Sequence, residues 1–294
     1  MPRPSLPLKL LQGTLAGTST SVTGFLFYTR HCEVVGSLDQ ATEPLFDSHF
    51  FHRYNPHHNH VNSDIVARYI PLTELRRDLL EDSRNGGSKL VEHFCGAMWS
   101  GWSYTPQRLF NTWTKPESSL PPPDSMLSNS GLVLDEVTSK TLFTWSRMAS
   151  IFAASLCALK SSDPIPNTPP PTTQQDEPLD LWDPSTLSAS TYPIGTSITN
   201  SFLVLFKTPT TILVRCGSSP LDYPYKPRTS DGLFEISAVV DFDQGCAEFK
   251  IKSLFYNGTE EAKDKTMGLS KGLWWLHEQY AKLLLETSVR KCRI

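Results

Sequence analysis

The longest unbroken pattern of hydrophobic and polar positions lies in residues 199–292. Apolar residues alternate with other residues along four segments there, which are 202–206, 212–215, 234–241 and 247–256. Pro209 and the run Asp243-Gln244-Gly245 separate successive segments. Alternation with a period of two, interrupted by turn residues, is typical of an antiparallel meander with one buried face.

A long helix is predicted to follow these strands, from about Gly268 to Lys291. Its apolar residues recur at steps of three and four, the spacing of one helical face, and are Leu269, Leu273, Leu276, Tyr280 and Leu284. Charged residues of alternating sign fall four apart and predict a solvated face, formed by Glu278, Lys282, Glu286 and Arg290. The predicted fold is therefore α+β, a curved antiparallel sheet closed by a long C-terminal helix in a helix-grip-like arrangement.

The first part of the chain predicts a strand and several helices. Gly24–Val34 is rich in aromatic and β-branched residues and predicts a strand that joins the sheet. A short helix is expected within 38–51 and another within 66–80, entered after Pro71. Ser88 is the expected N-cap of a helix that extends to about Trp102.

Proline-rich and polar segments divide the chain. We expect one α+β domain formed by residues 10–114 and 179–294, interrupted by a helical insertion over 132–160. The flanking segments, 115–131 and 161–178, have linker composition, and residues 1–9 predict a flexible tail.

Charge and cysteine content limit the classes of partner. The net charge is −3 without a basic block, so no nucleic-acid partner is expected. The apolar stretch 142–159 is interrupted by Arg147, which disfavours an integral membrane span. The six cysteines form no CxxC pair and there is no clear secretory signal, so buried, unreactive thiols and a cytoplasmic location are predicted.

Motifs for common cofactors are missing from the sequence. It contains no phosphate-binding P-loop, GxGxxG fingerprint, Gly-x-Ser-x-Gly elbow or His-Glu-x-x-His zinc motif, so no cofactor is expected. Five of the eight histidines lie within residues 47–60, where Asp47 or Asp64 could complete a metal site. The spacing around Pro56 fits no known coordination motif, and we interpret the segment as a polar loop without a metal.

His277 is the strongest candidate for acid–base chemistry. It lies beside Leu273 and Tyr280 on the predicted buried face, and Asp231 or Glu235 at the start of a strand is its expected partner. Candidate ligand-binding residues are Arg215, Arg30, His31, Trp99, Trp102 and Tyr280. A structural role is the alternative for each residue: Arg215 pairs with Asp231 or Glu235, His277 binds the backbone, and the tryptophans pack in the core.

Five segments, 25–32, 53–56, 87–92, 231–235 and 276–280, resemble an uncharacterised fungal protein family, some members of which are encoded near secondary-metabolite genes. The resemblance implies a role in biosynthesis but no catalytic residues. The succession of strands and a terminal helix is similar to START-like helix-grip proteins by fold analogy alone, which does not fix function.

These observations favour a cofactor-free isomerase or cyclase that acts on a small hydrophobic metabolite. A non-catalytic carrier of a hydrophobic ligand and a protein-interaction module are the alternatives. Titratable groups that converge in a pocket would favour the enzyme, and an apolar cavity alone would favour the carrier. A sheet face filled by side chains would favour the interaction module. The sequence does not indicate an oligomeric state.

Overall fold

The computed structural model describes residues 22–114, 180–218, 225–262 and 271–294. Several predicted segments lie outside these ranges: the tail 1–9, the linkers 115–131 and 161–178, and the insertion 132–160 with its apolar stretch 142–159. None of the helices in the described ranges combines the length and apolar composition needed to cross a bilayer.

Eight strands of the described chain form one open, mixed sheet. They are β1 (Glu33–Gly36), β2 (Asn62–Pro71), β3 (Asp180–Leu181), β4 (Ser197–Ile198), β5 (Phe202–Lys207), β6 (Thr211–Gly217), β7 (Asp231–Asp241) and β8 (Cys246–Tyr256). Their spatial order is β1-β2-β8-β7-β6-β5-β4-β3. Neighbouring strands are antiparallel except β3 and β4, which are parallel, so the predicted purely antiparallel sheet is corrected to a mixed one.

The helices of the described ranges are α1 (residues 22–28), α2 (His49–Tyr54), α3 (Arg77–Arg84), α4 (Lys89–Ser100), α5 (Thr105–Thr114), α6 (Pro184–Ala189) and α7 (Lys271–Cys292). Short 3₁₀ turns span Leu72–Glu74 and Glu260–Ala262. The long C-terminal helix α7 is thus confirmed, although residues 268–270 of its predicted range lie outside the described residues.

The meander of β5 to β8 follows the predicted alternation. Strands β7 and β8 pair over their full length, from Asp231 opposite Tyr256 to Asp241 opposite Cys246. One face of these strands packs against the helices through a large apolar cluster that includes Ile236, Phe249 and Ile251. We call this the helical face of the sheet.

The other face is covered by the segment that connects β1 to β2. Phe46 and Phe51 of this segment join Leu233, Leu254 and Tyr256 of the sheet in a second apolar cluster. Successive residues of a strand point to opposite faces, so each strand contributes to both clusters. The central strands are consequently buried on both faces.

The predicted strand over Gly24–Val34 is wrong in its first part. Residues 22–28 form α1, the chain turns, and β1 begins only at Glu33. The backbone N–H and the hydroxyl of Thr29 both donate to the carbonyl of Phe25, which closes the last turn of the helix. Tyr28 packs against Trp102 at a centroid distance of 6.1 Å, and such tertiary contacts override local β propensity.

Strand β2 was not predicted. The helix expected after Pro71 starts later than predicted, because a 3₁₀ turn occupies Leu72–Glu74 and α3 begins only at Arg77. The helix expected within 38–51 is displaced to His49–Tyr54. Ser88 precedes α4 as predicted, but the Asp82 carboxylate, and not the Ser88 side chain, accepts the backbone N–H of Lys89 at 2.9 Å.

Candidate functional site

His277 of α7 contacts Asp64 of β2. The distance between His277 Nε2 and Asp64 Oδ1 is 3.1 Å, and the two residues are 7% and 1% exposed. Positions 64 and 68 of β2 both point towards α7, since Arg68 contacts Glu286 of that helix. The register of β2 beneath α7 therefore brings together two residues that are far apart in the chain.

Two aromatic side chains enclose the His277 ring. Trp274 lies against it with a centroid distance of 5.1 Å and an interplanar angle of 33°. Phe255 of β8 meets it edge-on, also at 5.1 Å. Apolar walls exclude water and strengthen the interaction between the imidazole and the carboxylate.

Three buried polar atoms beside this pair lack hydrogen-bond partners in the described structure: Asp64 Oδ2, Ser253 Oγ and Asn62 Nδ2. Asp64 lies opposite Ser253, and Asn62 lies opposite Phe255. Residues directly opposite each other in an antiparallel pair project from the same face, so these side chains share the face that carries the His277 contact. Buried polar atoms are usually hydrogen-bonded, which makes this concentration a mark of a functional site.

Glu278 follows His277 in the helix and shares its electrostatic environment. Burial raises the pKa of the Glu278 carboxyl, and the neighbouring Asp64 carboxylate raises it further, while His277 opposes the shift. Two carboxylates beside one imidazole supply the groups that proton transfer needs. A carboxylate that binds one ring nitrogen also fixes the orientation of the imidazole.

The predicted pairing of His277 with Asp231 or Glu235 is wrong. Phe255 touches His277, so the next residue of β8, Tyr256, projects from the other face together with Asp231, which lies opposite it. Asp231 instead forms an ion pair with Arg215, with distances of 2.9 Å and 2.5 Å. Glu235 forms one with Lys252 at 3.1 Å. The alternative structural role of Arg215, as a partner of Asp231, is confirmed.

The predicted ligand-binding residues are dispersed. Trp99 is 1% exposed and packs against Tyr104 and Phe202 in the helical-face cluster. The hydroxyl of Tyr280, one turn after His277, donates to Gln107 Oε1 at 3.1 Å.

The remaining ligand-binding candidates lie at the surface. Trp102 is 60% exposed, and Arg30 and His31 are exposed beside the end of α1. The Arg30 guanidinium lies 3.8 Å from the centroid of the Phe27 ring. None of these three residues contributes to the His277–Asp64 contact.

Sequence reasoning named Asp64 only as a possible metal ligand and did not name Asn62 or Ser253. One signal for Asp64 was available, because it is a charged residue followed by the apolar run Ile65-Val66-Ala67. A charge at a strand position that faces a helix requires a partner there. The partner could be identified only once the register of β2 was known.

The histidine-rich loop is held by two buried asparagines. Asn55 and Asn59 exchange hydrogen bonds of 2.9 Å, and Asn59 Nδ2 donates to the carbonyls of Asn257 and Thr259. The five loop histidines are exposed. Within the described residues, no group of three or more His, Cys, Asp or Glu side chains is placed to hold a metal ion.

The five described cysteines are free thiols, and Cys246 alone of them is not buried. Burial raises the pKa of Cys216 to about 12, and the Asp231 carboxylate contributes to the shift. Burial also raises the pKa of Cys32, Cys95 and Cys292. These buried thiols therefore lack the thiolate character that reactivity requires, as the sequence predicted.

Comparison of the chain with known protein families, curated proteins and solved structures gives no match. The resemblance to a fungal family and the analogy to START-like proteins thus stay predictions.

Proposed function

We propose that the protein is a cofactor-free acid–base catalyst of the isomerase or cyclase type that acts on a small hydrophobic metabolite. His277 is the proton-transferring group and Asp64 is the carboxylate that orients it. The observation that carries this proposal is the buried His277–Asp64 contact beside unpartnered polar atoms of Asp64, Ser253 and Asn62.

The surroundings of the pair suit an apolar substrate with one polar group. Trp274 and Phe255 offer aromatic surface to a hydrocarbon skeleton, while Ser253 and Asn62 offer hydrogen bonds to an oxygen. Proton removal and return by one positioned imidazole is sufficient for a double-bond shift or a ring closure. In the proposed arrangement, the sheet and α7 hold the substrate as a helix-grip protein does, in a cytoplasmic biosynthetic pathway.

The test is complementation of cells that lack the protein. We compare metabolites by mass spectrometry after complementation with the wild type, His277→Gln and Asp64→Asn. Loss of acid–base catalysis lowers the rate roughly 10²–10⁴-fold, so we expect product to fall sharply in both variants. The matched control is His93→Gln, because His93 Nε2 lies near the Lys291 carbonyl, at 3.0 Å, and not at the candidate site.

The same complementation assay tests the role of Ser253. Ser253→Ala removes a buried hydroxyl without a partner, so the variant should be as stable as the wild type or slightly more stable. We expect it to reduce product formation nevertheless, since functional groups are often retained at a cost in stability. Wild-type product from a folded His277→Gln variant would refute the catalytic proposal.

A non-catalytic carrier would give a different result. Native mass spectrometry of the purified protein detects a bound small molecule directly. If His277→Gln and the wild type carry the same unconverted molecule and yield the same metabolites, the carrier function replaces the catalytic one.

A protein-interaction function has one specific observation in its favour. The helical face of the sheet is filled by buried side chains, among them Ile212, Val214 and Phe249. Trp102, in contrast, presents most of its surface to solvent. An interaction module would use such exposed aromatic residues, and the consequence for Trp102 is tested below.

A further inference from the structure

Two exposed histidines of the histidine-rich loop lie against each other. His52 belongs to α2 and His58 to the turn that follows this helix. The centroids of their rings are 5.6 Å apart, at an interplanar angle of 71°. Neither imidazole forms a hydrogen bond or an ion pair within the described part of the chain. The nitrogens of both rings are therefore available to a ligand from solvent.

The position of His58 is fixed by the buried asparagines on either side of it. Hydrogen bonds of 2.9 Å between Asn55 and Asn59 close the turn, and Asn59 anchors it to the carbonyls of Asn257 and Thr259. Within this turn the φ angle of His58 is 51°, in the left-handed region that residues other than glycine adopt uncommonly. Such a conformation persists where the surrounding structure determines it, and it is concentrated at functional sites.

The position of His52 is fixed by the packing of α2. Phe51 and Tyr54 of this helix are 5% and 3% exposed and belong to the second apolar cluster of the sheet. The Ser48 hydroxyl accepts from the backbone N–H of Phe51 at 3.2 Å and caps the helix. Both histidines thus project from anchored elements, which reduces the entropy lost when one ligand holds two side chains.

The separation of the two rings matches that of imidazoles that bind one metal ion. Zinc lies about 2.0–2.1 Å from a ligating imidazole nitrogen, and hence about 3.2 Å from the centroid of that ring. Two such rings at a tetrahedral angle have centroids about 5.2 Å apart. The separation of 5.6 Å between His52 and His58 is close to this value. Small side-chain rotations are therefore sufficient to bring one nitrogen of each ring onto a common ion.

We propose that His52 and His58 form a binding site for a divalent transition-metal ion of the class that prefers imidazole, which includes Zn²⁺, Ni²⁺ and Cu²⁺. Across the described residues, no third His, Cys, Asp or Glu side chain is placed to complete a ligand set. Water or a donor group of another molecule fills the remaining coordination positions. The site is therefore open, unlike the closed four-ligand sites that hold structural zinc.

Sequence spacing does not reveal this pair, and the interpretation of the loop as one without a metal is therefore revised. His52 and His58 are six positions apart with Pro56 between them, and only the turn brings their rings together. The site does not depend on the proposed catalysis. Helix α2 covers the face of the sheet opposite the one that His277 contacts, so either proposal can fail without the other.

The experiment titrates the full chain, purified without a histidine tag and freed of metal by a chelator. Zn²⁺, Ni²⁺ and Cu²⁺ are added in separate calorimetric series. We expect one site per chain that contains both histidines, with Cu²⁺ bound most tightly, as in the usual order of affinity for nitrogen ligands. Electron paramagnetic resonance of the Cu²⁺ complex should show two nitrogen ligands.

Single substitutions connect the binding to the two rings. His52→Gln and His58→Asn each remove one imidazole, and asparagine tolerates the left-handed conformation of His58. Each should weaken binding by more than about 10-fold, because loss of even an outer-shell partner costs a metal site that much. The Cu²⁺ spectrum of each variant should show one nitrogen ligand.

The matched controls are His57→Gln and His60→Gln. These two imidazoles are exposed in the same loop and have no ring contact within the described chain. Both control variants should bind the ions as the wild type does.

Several results would overturn the metal site. One is the absence of a calorimetric signal for all three ions. Another is binding that either His52→Gln or His58→Asn leaves unchanged, or that the His57 and His60 controls weaken equally, since other donors of the chain would then hold the ion. A wild-type Cu²⁺ spectrum with fewer than two nitrogen ligands would also exclude the pair.

Discussion

Glu286 of α7 forms an ion pair with Arg68 of β2. Glu286 Oε2 lies 3.2 Å from Arg68 Nε, and the two side chains are 1% and 12% exposed. The other carboxylate oxygen, Oε1, accepts from Arg290 Nε at 2.8 Å. The thiol of Cys32, just before β1, donates to Oε2 at 3.5 Å. One buried carboxylate thus connects the C-terminal helix with the sheet and with the chain beside its edge.

Replacement of Glu286 should destabilise the fold strongly. Glu286→Ala leaves Arg68 largely buried without its carboxylate, and loss of one partner of a buried pair costs about 3 kcal/mol. The control is Glu74→Ala, since Glu74 pairs with Arg293 at 2.6 Å in an exposed position, where a pair contributes about 1 kcal/mol or less. Urea unfolding measures both losses, and equal losses would contradict the assigned role of Glu286.

The same residue shows where sequence reasoning failed. The spacing of Glu286 from Lys282 and Arg290 predicted a solvated helical face, but Glu286 is buried. Local charge spacing cannot reveal that Arg68 of a distant strand faces the helix at this position. Strand β2 was missed because charged residues lie on its buried face. Asp64 and Arg68 occupy its helix-facing positions and hide the alternation that would have identified a strand.

The meander was predictable because β5 to β8 are consecutive in sequence and carry apolar residues at nearly every inward position. The site was predictable only in part. His277 is buried on α7 as expected from its helical spacing, but its partner depends on β2 pairing with β8. That pairing joins segments nearly two hundred residues apart, which no local pattern encodes.

Gly258 lies at a position that has no room for a side chain. A Cβ atom there would lie 2.1 Å from the carbonyl oxygen of Tyr54 and 3.0 Å from Pro227 Cβ. Gly258→Ala must displace backbone and should destabilise the fold by about 1–3 kcal/mol. Gly272 of α7 has open space around it, so Gly272→Ala should stabilise by up to about 1 kcal/mol. Thermal unfolding that places both variants on the same side of the wild type would contradict this difference.

The raised pKa of Glu278 predicts a pH dependence of stability. Burial and Asp64 raise the pKa of this carboxyl above its ordinary value of 4.5, so the folded chain holds the proton to higher pH than the unfolded chain. The free energy of unfolding therefore falls as the pH rises from 4.5 through the folded pKa. Glu278→Gln removes this loss, so its stability should match the wild type in acid and exceed it at neutral pH.

Glu248 should give a pH dependence of stability opposite to that of Glu278. Burial acts to raise the pKa of Glu248, but hydrogen bonds from Lys250 and Tyr69 lower it overall below 4.5. Its contribution to stability is present at neutral pH and is lost as the pH falls through the folded pKa. Glu248→Gln should therefore be less stable than the wild type at neutral pH, with the difference disappearing in acid. Urea unfolding over a range of pH compares the two variants, and equal signs would refute the assignment.

Trp99 and Trp102 belong to the same aromatic-rich segment but should respond differently to substitution. Trp99 is fully enclosed by the core, so Trp99→Ala should cost about 3–5 kcal/mol of stability. Trp102 is exposed and has one described aromatic contact, to Tyr28, so Trp102→Ala should cost about 1 kcal/mol or less.

Trp102→Ala, compared with His277→Gln, separates the two proposed functions. If the protein is an acid–base catalyst centred on His277, Trp102→Ala should support wild-type product formation, because Trp102 does not contact the His277–Asp64 pair. If it is an interaction module, Trp102→Ala should lose its function in cells while its free energy of unfolding stays near that of the wild type. Trp99→Ala cannot make this distinction, because unfolding removes either function. Loss of product in Trp102→Ala together with full activity in His277→Gln would therefore favour the interaction function over the catalytic one.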